Sequence, residues 1–69
     1  ANDASITSKV KTRLWGDEGA PGTKIKVKTE SGVVYLMGLV TKAEASAATE
    51  VTRTTSGVTR VVTLFEIIN

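Results

Sequence analysis

The run V-V-Y-L-M-G-L-V at residues 33–40 constrains the fold more than any other stretch of the chain. Read at the two-residue period of a strand, it is apolar on both sides: Val34 and Leu36 on one, Val33, Tyr35, Met37 and Leu39 on the other. Eight residues fall far short of the roughly 20 of a membrane-spanning helix, and apolar faces on both sides of a strand would normally be covered by something. Gly38 interrupts the run, as at a bulge or a close approach of another backbone segment. Just upstream, Lys24, Lys26 and Lys28 alternate with Ile25, Val27 and Thr29, the pattern of a half-buried strand. Glu30-Ser31-Gly32 supplies a turn between the two, which predicts a hairpin.

Helical spacing brackets this hairpin. Ile6, Val10 and Leu14 recur every four residues behind Asn2 or Asp3, either of which can cap a helix, and Gly16 is placed to end it. Residues 16–23 hold Gly16, Gly19, Pro21 and Gly22 and read as a loop. Thr41-Lys42-Ala43-Glu44 has the form of a capping box, and the second helix should run through Ala43, Ala47, Ala48 and Val51 to about Thr55, ended by Gly57. Its alanine face allows close packing on a sheet. From Val58 to Ile68 a third strand sets Val61, Thr63, Phe65 and Ile67 against Arg60, Val62, Leu64 and Glu66. The expected fold is α+β in the order α-β-β-α-β, with two helices on one face of a three-stranded mixed sheet and a right-handed crossover through the second helix. The expected core is Ile6, Val10, Leu14, Ile25, Val27, Val34, Leu36, Ala47, Val51, Val61 and Phe65.

Composition narrows the function classes. Sixty-nine residues make one domain of marginal stability, and 41% hydrophobic with 23% charged residues is ordinary for a globular chain. The chain starts at Ala1 without a signal peptide, as expected of a domain, residues 1–69, excised from a longer protein. There is no cysteine and no histidine, so thiol chemistry, the commonest general base and the commonest metal ligand are all missing. Asp17 and Glu18 are adjacent loop acids, and a dedicated hard-metal site needs more converging oxygens than they offer. We therefore expect no catalysis, no metal site and no cofactor. The net charge of +2 is unevenly spread: residues 1–28 carry six cations (Lys9, Lys11, Arg13, Lys24, Lys26, Lys28) against Asp3, Asp17 and Glu18. An anionic partner should meet the chain there.

The combination Ile25-x-Val27, Gly32-x-Val34-x-Leu36-x-Gly38-x-Val40, an alanine-rich helix and Ser56-Gly57-Val58-x-x-Val61 resembles the BON domain, a family named from bacterial osmotic-stress and nodulation proteins. The resemblance covers essentially the whole chain. Ile6-Thr7-x-Lys9-Val10 and the strand Val34–Val40 look most like the second BON domain of tandem-BON outer-membrane lipoproteins. The related lipid-binding helix carries a tryptophan just before its Ile-Thr pair, where this chain has Ser5. The resemblance implies a periplasmic module associated with the outer membrane through its parent chain, contributing to envelope integrity and binding anionic phospholipid through the first helix.

Two candidate surfaces follow. On a wheel of about 100° per residue, Trp15 falls far from the Ile6–Val10–Leu14 stripe, on the side of Ser8, Lys11 and Thr12. Either the indole points outward there, or the helix unwinds at Leu14 and the ring folds back over the core edge. The lipid-binding set is Ser5, Ser8, Lys9, Lys11, Thr12, Arg13 and Trp15, cations flanking an interfacial ring. The second surface is the sheet face away from the helices, where Tyr35, Met37, Leu39, Val62 and Leu64 would dock a sister BON domain, another envelope protein or a second copy, beside Lys24, Lys26 and Lys28. Nucleic acid is not expected, because that face carries a single aromatic and single-strand readers stack bases on several.

Overall fold

The computed structural model describes residues 2–17, 19–20 and 22–68. The first helix, α1, spans Asp3–Gly16 and is capped by the Asn2 side chain, which accepts from the Ser5 N–H at 2.8 Å. It buries the expected stripe of Ile6, Val10 and Leu14. The strands β1 (Lys26–Glu30) and β2 (Val33–Val40) form an antiparallel hairpin, Glu30 paired with Val33 across a two-residue loop. Ser31 (φ 49°) and Gly32 (φ 81°) both take the left-handed conformation that matches such a loop to the strand twist. The Asp3 carboxylate holds the loop from above, accepting from the Ser31 N–H at 2.8 Å and the Gly32 N–H at 3.0 Å. Strand and helix are joined further along by the Thr7 and Thr29 hydroxyls, 2.7 Å apart.

Helix α2 spans Lys42–Arg53, and its capping box forms as expected, Glu44 N–H to the Thr41 hydroxyl and Thr41 N–H to the Glu44 carboxylate. It stops short of Thr55. The Thr54 and Thr55 hydroxyls donate back to the carbonyls of Glu50 and Val51, a local bonding that competes with further helix. Strand β3 (Arg60–Ile67) then lies parallel to β2, giving the sheet order β1-β2-β3. Both helices pack on one face in the α+β arrangement expected, with Val34, Leu36 and Val40 wholly buried beneath them.

Three details differ from the sequence pattern. Strand β1 begins at Lys26, because Gly22–Lys24 form a 3-10 turn that carries the chain over β2. Lys24 is therefore not on the open sheet face: its ammonium lies 4.0 Å from Glu44 of α2. Gly38 proves to be a close approach and no bulge, since the ladder with β3 runs through it in unbroken register and the ladder with β1 ends one residue earlier, at Met37. A Cβ at Gly38 (φ 151°) would sit 2.3 Å from the Lys24 carbonyl oxygen, so only glycine fits beneath the crossing segment.

The core also differs at its margins. Ala47 of α2 is only partly buried against it, and so are Val61 and Phe65, because β3 is an edge strand that α2 covers incompletely. Ala20, Val40 and Ala48 join the buried cluster instead. So does Thr52, fully buried with its hydroxyl satisfied by the Ala48 carbonyl at 2.8 Å. Leu36→Ala is expected to cost about 2–5 kcal/mol, while Leu64→Ala on the uncovered face should stay within about 1 kcal/mol. Urea denaturation followed by circular dichroism distinguishes the two, and equal losses would place Leu64 in the core.

Candidate functional site

Helix α1 continues through Trp15 and Gly16, so the indole is not folded back over the core: it is 67% exposed. Ser5, Ser8, Lys11, Thr12 and Trp15 form the outward crest of the helix and are all exposed. Lys9 and Arg13 leave that crest. They lie on the flank towards α2, where Lys9 is half-buried and the Arg13 guanidinium donates to the Thr55 hydroxyl at 3.0 Å. Arg13 thus ties α1 to the end of α2, and the expected lipid set divides between two flanks of one helix. A shallow groove of about 410 Å³ runs along this flank between Ser8, Lys9, Thr12, Arg13, Thr55 and Ser56.

The other flank is where charge and indole converge. The 3-10 turn and the start of β1 run beside the C-terminal half of α1, and a groove of about 450 Å³ opens between them. Its walls include Lys11, Trp15, Lys24, Lys26 and Ile25. Three lysines and the indole thereby contribute to the walls of one depression, and two of those lysines were not in the expected lipid set. The Lys24 ammonium lies beside Glu44, and Lys26 stands opposite Met37 on the open sheet face. Alternation assigned both to that face, which holds for Lys26 and fails for Lys24, which is drawn into the 3-10 turn. The indole itself is supported from below. A Cβ at Gly22 would stand 1.9 Å from Trp15 Cδ1, so the ring rests directly on the glycine backbone.

On the sheet, Tyr35, Met37, Leu39, Val62 and Leu64 all lie on the face away from the helices. The pairings bring them together: Tyr35 sits between Lys28 and Val62, and Met37 between Lys26 and Leu64. Leu39 is 52% exposed and Leu64 56%. Among the described residues no group of three or more acids is placed to hold a metal ion. Asp17 spends a carboxylate oxygen on the Gly19 N–H, and Glu18 lies outside the described residues. No helix is long and apolar enough to cross a membrane, again among the described residues.

Because Trp15 rests on Gly22, Gly22→Ala should displace the ring with little change in stability. A shift in the wavelength and acrylamide quenching of the single tryptophan's fluorescence checks this, and an unchanged spectrum would show that the ring is not seated there.

Comparison with known proteins places this architecture. The chain is 35% identical over 66 residues to the outer membrane lipoprotein DolP of Haemophilus influenzae, covering 96% of this chain and 34% of that protein. It is 40% identical over 60 residues to a 21 kDa hemolysin of Actinobacillus pleuropneumoniae, covering 87% and 31% respectively. With the osmotically-inducible protein Y of Escherichia coli it shares 36% identity over 59 residues, covering 84% and 29%. The chain thus spans about a third of the length of these curated relatives. The BON domain profile matches residues 2–69, and the chain belongs to the BON domain family.

Proposed function

We propose that this domain is a non-enzymatic module of the bacterial envelope that binds anionic phospholipid surfaces through the crest of α1 and the groove beside it. The observation that carries the proposal is the exposed Trp15 indole, seated on Gly22 with Lys11, Lys24 and Lys26 around the same groove. An amphipathic ring beside ammonium groups suits the boundary between acyl chains and anionic headgroups. Ser5, Ser8 and Thr12 complete a polar crest that can lie against headgroups. Where related lipid-binding helices carry a tryptophan in the first turn, this chain has Ser5, and its indole stands at the other end of the same outward side. The kinship with a protein named as an outer membrane lipoprotein supports an envelope setting, periplasmic and held near the outer membrane by the parent chain.

Near an anionic surface each cation contributes about 1 kcal/mol, so three give weak, reversible attachment. Firm attachment takes a second signal, such as a lipid anchor elsewhere in the parent chain. The electrostatic part should fade as salt shortens the Debye length to about 3 Å at 1 M, while the indole part persists.

A second use of the domain is favoured by the open sheet face. Leu39 and Leu64 are more than half exposed beside Tyr35, Met37 and Val62, which suits docking of a sister BON domain or another envelope protein. The two are separated by liposome co-sedimentation with phosphatidylcholine vesicles and with vesicles containing phosphatidylglycerol. Wild type should bind only the anionic vesicles at low salt. Lys11→Gln/Lys24→Gln/Lys26→Gln should weaken binding by roughly 100-fold, and Trp15→Ala should remove the salt-resistant remainder. Met37→Ser/Leu64→Ser should leave vesicle binding unchanged. Equal binding of wild type to both vesicle types, or no binding at low salt, would refute the lipid proposal.

A further inference from the structure

The two edges of the sheet are treated differently. Strand β1 is five residues long and carries Lys26, Lys28 and Glu30, charges that discourage another strand from adding. Strand β3 is eight residues long, contains no proline, and keeps unbroken register with β2. Its only charges are Arg60 and Glu66, while Leu64 and Ile67 are 56% and 43% exposed. The usual devices that blunt an edge strand are missing from β3.

The direction of its backbone groups follows from one bond. The Ile68 N–H donates to the Val40 carbonyl at 2.8 Å, so even-numbered residues of β3 turn their main chain towards β2. Val61, Thr63, Phe65 and Ile67 therefore present their N–H and C=O groups to the free edge. We propose that two copies of this chain pair antiparallel through these β3 edges, joining their sheets into one of six strands.

Two-fold symmetry and the positions of the two charges select the register. With the axis at Thr63, Thr63 faces the partner's Thr63 and exchanges both hydrogen bonds with it. Val61 faces the partner's Phe65, Val62 the partner's Leu64, and Arg60 the partner's Glu66. Val61, Val62, Leu64 and Phe65 each meet an apolar residue, Ile67 meets the partner's Thr59, and both charges of the strand are matched twice over. Moving the axis to Val62 puts Arg60 against the partner's Leu64, and moving it to Leu64 puts Val62 against the partner's Glu66. A slip of one residue brings opposite faces of the two sheets into line and is excluded by the pleat. Arg60, Val62, Leu64 and Glu66 share the open face, so the pairing also doubles the apolar surface of that face.

Sedimentation equilibrium of the 7.3 kDa chain tests this. Wild type should rise with concentration towards twice its mass. Thr63→Pro removes an N–H that β2 does not use, so it should keep the circular dichroism of the fold and stay monomeric. R60E and E66R should each weaken dimerisation roughly tenfold, and mixing the two should restore it, since each then meets its complement. Should Thr63→Pro fail to fold, the charge variants decide, both being at exposed positions. A wild type that remains monomeric at millimolar concentration overturns the proposal. So does a Thr63→Pro dimer, or a mixture of R60E and E66R that associates no better than either alone.

Discussion

Two helices can cover one face of a three-stranded sheet and no more. That constraint organises the whole molecule. All the deeply buried side chains, from Ile6, Val10 and Leu14 of α1 to Val34, Leu36 and Val40 of β2, belong to the single layer between helices and sheet. The opposite face keeps its apolar residues with no helix left to hide them. A domain of this size has little surplus stability, and leaving Leu39 and Leu64 in water forgoes burial that a larger chain would use. Surface of that kind is commonly tolerated where something else rests on it.

Within the layer, two small contacts fix how the elements meet. Asp3 grips the hairpin loop through two backbone N–H groups, which sets the start of α1 over the end of β1. Gly38 lets the Lys24–Ile25 backbone pass close over β2, which brings the chain entering β1 alongside the far end of α1. The groove beside Trp15 is a product of that second crossing. Without it, Lys24 would stand away from Lys11, and the groove beside the indole would lose one of its walls.

Periodicity carried most of the architecture. Four-residue spacing in α1, the capping box of α2 and the alternation in β1 and β3 each correspond to the element observed. The wheel position of Trp15 was informative because α1 runs straight through Gly16 and the indole keeps helical direction. What escaped was local geometry that alternation does not encode. The turn over Gly22–Lys24 takes in Lys24, where the alternation already reads as strand, so Lys24 leaves the open face and meets Glu44. Thr52 looks polar in the sequence, yet its hydroxyl is satisfied within its own helix turn and the residue packs as core. Arg13 looks like a free cation, because its partner Thr55 is 42 residues away and no short-range pattern joins them.

The parallel pairing of β2 with β3 also governs the order in which the molecule can be made. Glu30 and Val33 meet across a two-residue loop, but Val34 finds Val61 only after the intervening chain has formed a helix and doubled back. Contacts so far apart in sequence are entropically expensive to close and come late on the folding route. On a ribosome, α1, the hairpin and α2 can all emerge before the segment that completes the sheet is available. Until residue 68 clears the exit tunnel and reaches the Val40 carbonyl, the nascent domain holds an open flank along β2. The strand that finishes the sheet is then also the one that sets how long the half-made domain is vulnerable to wrong partners.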